Sequence, residues 1–514
     1  MPPAVLFTSA LPLFRALLLV TAGAITTFAY APYTLWWLPL LTLAVLTTTV
    51  AKAQSPRQAA LYGFYFGLGW FGAGISWVHV SIDQFGGLPL AGSLALMALL
   101  VAYLAMYPAL ASYISARLNK ATVFPLLFAA CWTLSEWLRS WMLTGFPWLS
   151  LGYSQTDAGL APLAALIGET GISFILVFSA AALAQLLKQQ PALSRYGYIV
   201  IAGSIFALSP LATHYRGWQQ TEQQLNVVLV QGNIRQELRW APEQEWPTML
   251  KYLDLTRPHF QTDLVIWPEA AIPQLEPLAG SYLENLNKAA LYSDTAVISG
   301  ILDYNFNTQQ AWNNLIVLGK RQPDAKDGDY FYGHGNRYSK HHLLPIGEFV
   351  PFESWLRKLA PIFDLPMSSF SRGTYVQPNL VANGYHLLPA ICFEIAFPAQ
   401  IAANMTDETQ LLLTVSNDAW FGDSIGPHQH LQIARMRAME FGRPLLRATN
   451  TGVTAVIRAD GSVSAVAPQF TETVLTDTVQ LSTGQTPYSR LGDNGLLILC
   501  GFILLAGAFS QRRR

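Results

Sequence analysis

Charge is scarce in this sequence. Of its 514 residues only 12% are Asp, Glu, Lys or Arg, and 52% are hydrophobic. An average soluble domain carries about twice that share of charge, so membrane embedding is the first expectation. An excess of either sign is missing too. Lys and Arg number 31, as do Asp and Glu, and no basic surface for nucleic acid is on offer. Cysteine is nearly absent, with three in all. Cys131 and Cys500 fall in apolar runs, where a thiol behaves as a small hydrophobe. The polar part of the chain keeps a single cysteine and can build no disulfide framework. Gly-rich loops of the P-loop or dinucleotide type do not occur. Nor do zinc spacings: His428 and His430 are two apart and His341 and His342 adjacent, neither being the i, i+4 pair of a helical zinc site. No metal and no cofactor are expected.

The little charge there is lies unevenly. Residues 1–213 hold eight Lys/Arg and four Asp/Glu, whereas residues 214–493 hold 20 and 27. A spanning helix takes about 20 mostly apolar residues. Seven such stretches precede the polar part, over roughly 10–30, 34–52, 60–82, 88–114, 121–139, 162–188 and 197–213, and an eighth covers roughly 493–510. The first has no basic n-region and no clear cleavage site, and more spans follow, so it reads as an anchor rather than a signal peptide. The expected organisation is a membrane bundle over 1–213, a soluble, mildly acidic domain over 214–492, and a last span with a basic tail over 493–514.

Basic residues set orientation. Lys52 with Arg57, Arg117 with Lys120, Lys188 with Arg195, and terminal Arg512, Arg513 and Arg514 all fall on one side if the span count is eight. Arg139 is the main exception. The basic side is then cytoplasmic with both termini inside, and the soluble domain lies outside, in the periplasm of a Gram-negative cell.

Between the fifth and sixth spans runs EWLRSWMLTGFPWLSLGYSQTDAG. Trp137, Trp141, Phe146, Trp148 and Tyr153 suit an aromatic belt at headgroup level. The bland reading is an interfacial anchor. The sharper one has Glu136 and Arg139 touching a lipid headgroup at the mouth of a cavity, since an ionisable residue at membrane depth is a functional candidate. His79 and Glu169 qualify as well, or serve as polar contacts between helices.

In the soluble part, apolar runs such as LNVVLVQGNI, TDLVIWPEAA, TAVISGIL and QLLLTVSND alternate with helical patterns. Most are continuous, as in strands buried on both faces, and the alternation points to an α/β layered domain. Segment 320–335 reads as an exposed loop.

Three residues in these runs suggest chemistry. Glu269 ends DLVIWPEA, Lys340 stands in YSKHHLLPIGEFVP and Cys392 in LLPAICFEI. Singly, each has an ordinary explanation: a loop acid or helix cap, a solvated lysine, a core cysteine. Together they form a set for acyl transfer. A thiol of ordinary pKa, about 8.5, needs activation. A partly buried carboxylate can take its proton. A fixed lysine cation, with the backbone N–H of Phe393 as a second donor, can stabilise a tetrahedral oxyanion. Glu348 can orient Lys340 and keep it charged, or is a surface acid in a turn.

The strings WPEAA, YSKHHLLPIGEFVP, ICFEI and SNDAWFGDS resemble the Glu-Lys-Cys signature of the nitrilase superfamily. With spans on both sides, the whole chain resembles the apolipoprotein N-acyltransferase family of bacterial lipoprotein maturation. That resemblance implies a nitrilase-like αββα sandwich over a multi-pass α-helical membrane bundle, in the inner membrane. It implies Glu269 as base, Cys392 as nucleophile and Lys340 as oxyanion stabiliser. Glu348 matches a supporting acid, and Glu394 a required position two after the nucleophile (otherwise a strand-end acid making a structural hydrogen bond). Trp240 in QGNIRQELRW matches an aromatic on a mobile loop. Trp420 and Phe421 line an acyl or lipoprotein entrance, or pack as core aromatics, and Trp148 and Arg139 complete the substrate-binding and gating set. Gly232 and Gly422 are candidate hinges.

The implied reaction is ping-pong. An acyl chain passes from a phospholipid, with phosphatidylethanolamine the expected donor, to the cysteine as a thioester. It then passes to the α-amine of the S-diacylglyceryl cysteine of an apolipoprotein. A monomer in the lipid bilayer is expected. Physical chemistry supports the design, because extracting either long-chain substrate into water costs about 0.8 kcal/mol per CH₂. The same three residues would serve a membrane-anchored amidase or nitrilase, in which water resolves the thioester. A transporter or receptor with an outer binding domain is the reading from another class.

Overall fold

The structure is a computed structural model and describes residues 3–85, 89–118, 123–186, 192–323, 330–345, 347–349 and 370–512. Lys120, Lys188, Arg513, Arg514 and residues 324–329 of the expected exposed loop lie outside the described residues. The chain forms two compact units, one of Met1–Arg216, Asp423–Gln432 and Arg490–Arg514, the other of Gly217–Gly422 and Ile433–Ser489.

The first unit is helical: α1 (Pro3–Thr26), α2 (Leu38–Ala51), α3 (Pro56–Gly74), α4 (Leu90–Arg117), α5 (Phe124–Arg139), α6 (Ala164–Gln185), α7 (Ala192–Leu208) and the C-terminal helix Asn494–Arg512. Long Leu, Ala and Val runs favour helix here, because an apolar surrounding leaves backbone groups no partner outside the helix. Ser55 starts α3 by accepting the Gln58 N–H, with Pro56 at the first helical position. Small residues let helices touch: a Cβ on Gly69 of α3 would lie 1.9 Å from the Val20 carbonyl oxygen of α1.

Helices stand at all eight expected positions. Among the described residues four stretches are long and apolar enough to cross a membrane: Pro12–Ala29, Leu90–Arg117, Ala161–Gln185 and Tyr196–Tyr215. Helix α2 has 14 residues, which is about 21 Å of rise against about 30 Å of hydrocarbon.

Between α5 and α6 the chain runs through short 3₁₀ turns, and α6 is itself interrupted at Gly168, with φ 65° and ψ −179°. Residues 147–156 are buried throughout, so this irregular backbone must find partners inside the protein. Glu136 and Arg139 supply them. The Glu136 carboxylate accepts the Ser150 hydroxyl at 3.1 Å and the Leu151 N–H at 3.2 Å. Arg139 Nη1 donates to the carbonyls of Phe146 and Trp148, at 2.7 and 2.5 Å. Both side chains are buried, so they act inward, in place of the expected headgroup contact. The aromatic belt divides likewise: Trp137 and Trp141 are exposed, whereas Trp148 and Tyr153 are buried. Glu136→Leu strands two buried donors and the Arg139 charge 3.9 Å away, a loss of about 3–5 kcal/mol. A clear fall in the thermal unfolding midpoint in detergent is expected. An unchanged midpoint would refute this scaffolding role.

The second unit is layered. Its strands are β1 (Trp218–Gln231), β2 (Leu264–Ile266), β3 (Ile272–Leu275), β4 (Ala296–Asn305), β5 (Gln310–Gly319), β6 (Arg337–Ser339), β7 (Leu380–Ala382), β8 (Tyr385–Ile391), β9 (Leu411–Ser416), β10 (Leu445–Thr449), β11 (Ala455–Ile457), β12 (Val463–Val466) and β13 (Thr473–Gly484). One sheet has the order β13-β1-β2-β4-β5-β6 with β3 beside β4, the other β12-β11-β10-β9-β8-β7. Pairings are parallel for β1–β2, β2–β4, β8–β9 and β9–β10. The continuous apolar runs are explained by burial on both faces. Leu229, Ile266 and Ile298 of the first sheet share one core with Ile391, Leu413 and Leu446 of the second. The alternate residues Val228, Val265 and Val297 pack under Met249 and Tyr252 of α8 (Pro242–Thr256) and Leu283 and Leu286 of α9 (Gly280–Tyr292). On the second sheet, α10 (Pro398–Asn404) packs against β8. Helix α11 (Gly426–Phe441) follows β9 in the chain.

Candidate active site

Parallel strands direct their carboxyl ends to one edge of a sheet, where α/β proteins place their sites. Glu269 follows β2, Lys340 follows β6, and Cys392 follows β8 directly. The structure brings the three together. Glu269 Oε1 accepts from Asn313 Nδ2 at 2.8 Å and from Lys340 Nζ at 3.4 Å, and its Oε2 accepts the backbone N–H of Asn417 at 3.1 Å. Lys340 Nζ also donates to Glu348 Oε1 at 2.7 Å, and Glu348 Oε2 accepts the Leu344 N–H at 2.8 Å. Lys340 is 1% exposed, so its charge depends on these two carboxylates.

Cys392 sits at the turn from β8 into the 3₁₀ turn Cys392–Ala396, with φ 56°. A non-glycine residue takes that left-handed conformation only when its surroundings enforce it. Glu394 does so. Its Oε2 accepts the Ile391 N–H at 2.8 Å and the Tyr338 hydroxyl at 2.9 Å. Its Oε1 accepts the backbone N–H groups of His341 and His342, at 2.8 and 2.9 Å, and Gln400 Nε2 at 3.0 Å. One buried carboxylate thus fastens the strand before the cysteine to the two residues after the lysine.

The electrostatics follow from burial and neighbours. Loss of water around the sulfur, then the Glu269 carboxylate, push the Cys392 thiol up to about 12, against Lys340 and a Ser416 hydrogen bond that pull it down. The resting group is a neutral thiol that needs a base. Burial acts against the Lys340 ammonium, but Glu348, then Glu269 and Cys392, outweigh it and raise its pKa, so it stays a cation. A neutral thiol, a carboxylate and a fixed cation with a backbone N–H at Phe393 can together attack an acyl carbon and hold the resulting oxyanion.

The other expected residues are placed variously. Phe393 and Phe421 are buried, whereas Trp240 and Trp420 are 41% and 38% exposed. Trp420 and Phe421 lie in the 3₁₀ turn Ala419–Phe421, four and five residues past β9. In the first unit, the Nε1–H groups of Trp148 and Trp77 both donate to Gln429 Oε1, at 2.7 and 3.2 Å. Gly232 lies against the Tyr252 ring, which a Cβ would meet at 2.6 Å, a close-packing requirement. Gly422 has φ 56° and ψ −158°, a conformation reserved to glycine. Asn313, Asn417 and Arg239 went unnoticed in the sequence. Arg239 is buried and donates to the carbonyls of Glu269 and Ala270, with its guanidinium over the Trp240 ring. Asn417 stands inside SNDAWFGDS beside two aromatics, and Asn313 is one of two adjacent asparagines in a strand-like run.

Comparison with known families agrees with this architecture. Residues 226–487 match the family described as carbon-nitrogen hydrolase, and residues 22–182 match the apolipoprotein N-acyltransferase N-terminal domain. The second unit is therefore a carbon–nitrogen hydrolase domain of nitrilase-like fold. The relatives extend over nearly the whole chain. The apolipoprotein N-acyltransferase of Shewanella oneidensis is 48% identical over 98% of this chain and 98% of its own length. That of Photobacterium profundum is 46% identical over 97% and 96%, and that of Vibrio vulnificus 47% over 96% and 96%. The chain belongs to the apolipoprotein N-acyltransferase family.

Proposed function

We propose that this protein transfers a fatty acyl chain from a phospholipid, through a thioester on Cys392, to the α-amine of the S-diacylglyceryl cysteine of apolipoproteins. The observation that carries the reading is the neutral thiol at the carboxyl end of β8 sharing a buried site with the Glu269 carboxylate and the Lys340 cation, in a chain of this family. Glu269 takes the Cys392 proton as Sγ attacks the ester carbonyl carbon. Lys340 Nζ and the Phe393 N–H receive the oxyanion. Collapse breaks the ester C–O bond, and the lysophospholipid oxygen leaves with the proton from Glu269. In the second half the acceptor amine attacks the thioester carbon, gives a proton to Glu269, and the thiolate leaves and recovers that proton.

Residues 1–213 and 493–514 lie in the bacterial inner membrane in this reading, with eight spans, both termini cytoplasmic and domain 214–492 in the periplasm. On that span count the basic residues Lys52, Arg57 and Arg117 share the cytoplasmic side, as the distribution of positive charge favours. Phosphatidylethanolamine is the proposed donor and the monomer the proposed state. Trp240, Trp420 and Phe421 border the substrate entrance.

The test is mass spectrometry of the purified protein after incubation with phosphatidylethanolamine and no acceptor. A fatty-acyl mass on Cys392, lost as a diacylglyceryl-cysteine peptide gains it, is expected. An unmodified Cys392 in folded protein would overturn the reading, and free fatty acid in place of acylated peptide would turn it into hydrolysis.

A further inference from the structure

The turn after β9 carries charge that the acyl-transfer scheme does not use. Asp418 and Arg447 form an ion pair, Oδ2 to Nη2 2.6 Å, with both side chains 0% exposed. Burying either charge is costly, and an apolar pair of similar volume fills such space as well or better. The sheet register shows where the pair sits. In the parallel ladder Ile391 lies opposite Val415, and Ser416 opposite Thr449. The ends of β8, β9 and β10 are therefore side by side, with Cys392 next to Ser416. Arg447 reaches across from β10, and its Nε also donates to the Val453 carbonyl at 3.1 Å.

Three contacts lead from this pair to the site. The Ser416 hydroxyl donates to Asp418 Oδ1 at 2.5 Å. The same hydroxyl is in hydrogen-bond contact with Cys392 Sγ. Between Ser416 and Asp418, the Asn417 N–H holds Glu269 Oε2. Asp418 has φ 51° and ψ −8°, a conformation its surroundings must enforce. Gly452 leaves the space for its carboxylate, since a Cβ there would lie 2.3 Å from Asp418 Oδ2.

We propose that Arg447 and Asp418 are a positioning pair for the Cys392 thiol, acting through the Ser416 hydroxyl and keeping the Asn417 N–H aimed at Glu269. The inference rests on Cys392 being the nucleophile and Glu269 its base. A serine hydroxyl has one proton to donate. While the sulfur is a thiol, Ser416 donates to Asp418. Once Glu269 has taken the thiol proton, Ser416 turns its hydrogen to the thiolate and Asp418 keeps its ion pair with Arg447. The pair thereby gives the thiolate a hydrogen bond without adding net charge beside it.

Charged groups facing Cys392 are Glu269, Lys340, Asp418 and Arg239, with Glu348 behind Lys340 and Arg447 behind Asp418. Removing the Asp418 charge leaves the Arg447 cation near the sulfur and favours thiolate. Removing Arg447 leaves a carboxylate there and disfavours it. Residues that only filled space would shift both variants alike or neither.

The experiment follows alkylation of Cys392 by iodoacetamide in the full-length protein in detergent, by peptide mass spectrometry across pH. Only the thiolate reacts. D418N is expected to move the profile to lower pH by on the order of one unit and R447M to higher pH, with R447K closest to the native protein. Native and D418N profiles that superimpose, or D418N and R447M shifts in the same direction, would overturn the proposal. If R447M does not accumulate folded, D418N and R447K carry the test. Acyl loading from phosphatidylethanolamine is read in the same samples. Opposite shifts without loading of the native protein would overturn the acyl-transfer reading and leave the relay standing. Normal native loading with superimposed profiles would overturn the relay alone.

Discussion

Glu269→Gln is expected to slow acyl loading of Cys392 by about 10³-fold or more while the protein remains folded. The size follows from the thiol. With its pKa pushed up to about 12, the thiolate fraction near neutral pH is on the order of 10⁻⁴ to 10⁻⁵ without a base. An amide cannot accept the proton, so the variant depends on that residue of thiolate. A partial offset is built in: Glu269 is itself a cause of the raised thiol pKa, so its neutralisation eases thiolate formation somewhat.

The structural consequences of the same change are smaller and can be located. The carboxylate accepts from Asn313, Lys340 and the Asn417 N–H, and glutamine keeps one carbonyl oxygen. That oxygen satisfies Asn313 and Lys340, which leaves the amide NH₂ against the Asn417 N–H at a cost of about 1–3 kcal/mol. The measurement is the rate of fatty-acyl mass gain on Cys392 from phosphatidylethanolamine, with thermal unfolding in detergent as the folding control. Loading at the native rate would sink the assignment of Glu269 as base.

Much of this site was legible because its parts sit at strand ends inside distinctive strings. Glu269 and Cys392 each end an apolar run and Lys340 stands in the distinctive string YSKHHLLPIGEFVP, and the layered α/β arrangement follows from the apolar runs being continuous. What was not legible depends on contacts distant in sequence. Asn417 matters through its backbone N–H, which no residue type advertises. Arg239 reads as one more arginine until its guanidinium meets the carbonyls of Glu269 and Ala270. The membrane part shows the same limit. Hydropathy located the helices, but it could not show that Glu136 and Arg139 turn inward to hold the irregular 146–151 backbone. Nor could it show that helix α2 runs for 14 residues. Sequence gives the chemistry of a side chain, while direction comes from the tertiary backbone.

Glu394→Gln should cost more stability than any other single conservative change near the site. The carboxylate is 0% exposed and accepts from five donors: the N–H groups of Ile391, His341 and His342, the Tyr338 hydroxyl and Gln400 Nε2. An ionised carboxylate has acceptor sites for all of them, and charge-assisted bonds of this kind are the strong ones. Glutamine turns one oxygen into a donor. If its NH₂ takes the Oε2 position it opposes the Ile391 N–H, and the turn that sets Cys392 at φ 56° loses its anchor. If it takes the Oε1 position it opposes the N–H groups of His341 and His342, and Lys340 loses its support. The tyrosine hydroxyl and the Gln400 amide can rotate to relieve their own contacts; backbone N–H groups cannot. At least one buried backbone donor is thus stranded in either orientation, about 1–3 kcal/mol, and the charge assistance of the remaining bonds goes with it. The expected result is a lower unfolding midpoint together with loss of most acyl loading. The discriminating reading is alkylation of Cys392 in the fraction that stays folded. Native alkylation and native loading in folded Glu394→Gln would mean that the loops carrying Cys392 and Lys340 hold their geometry without this carboxylate.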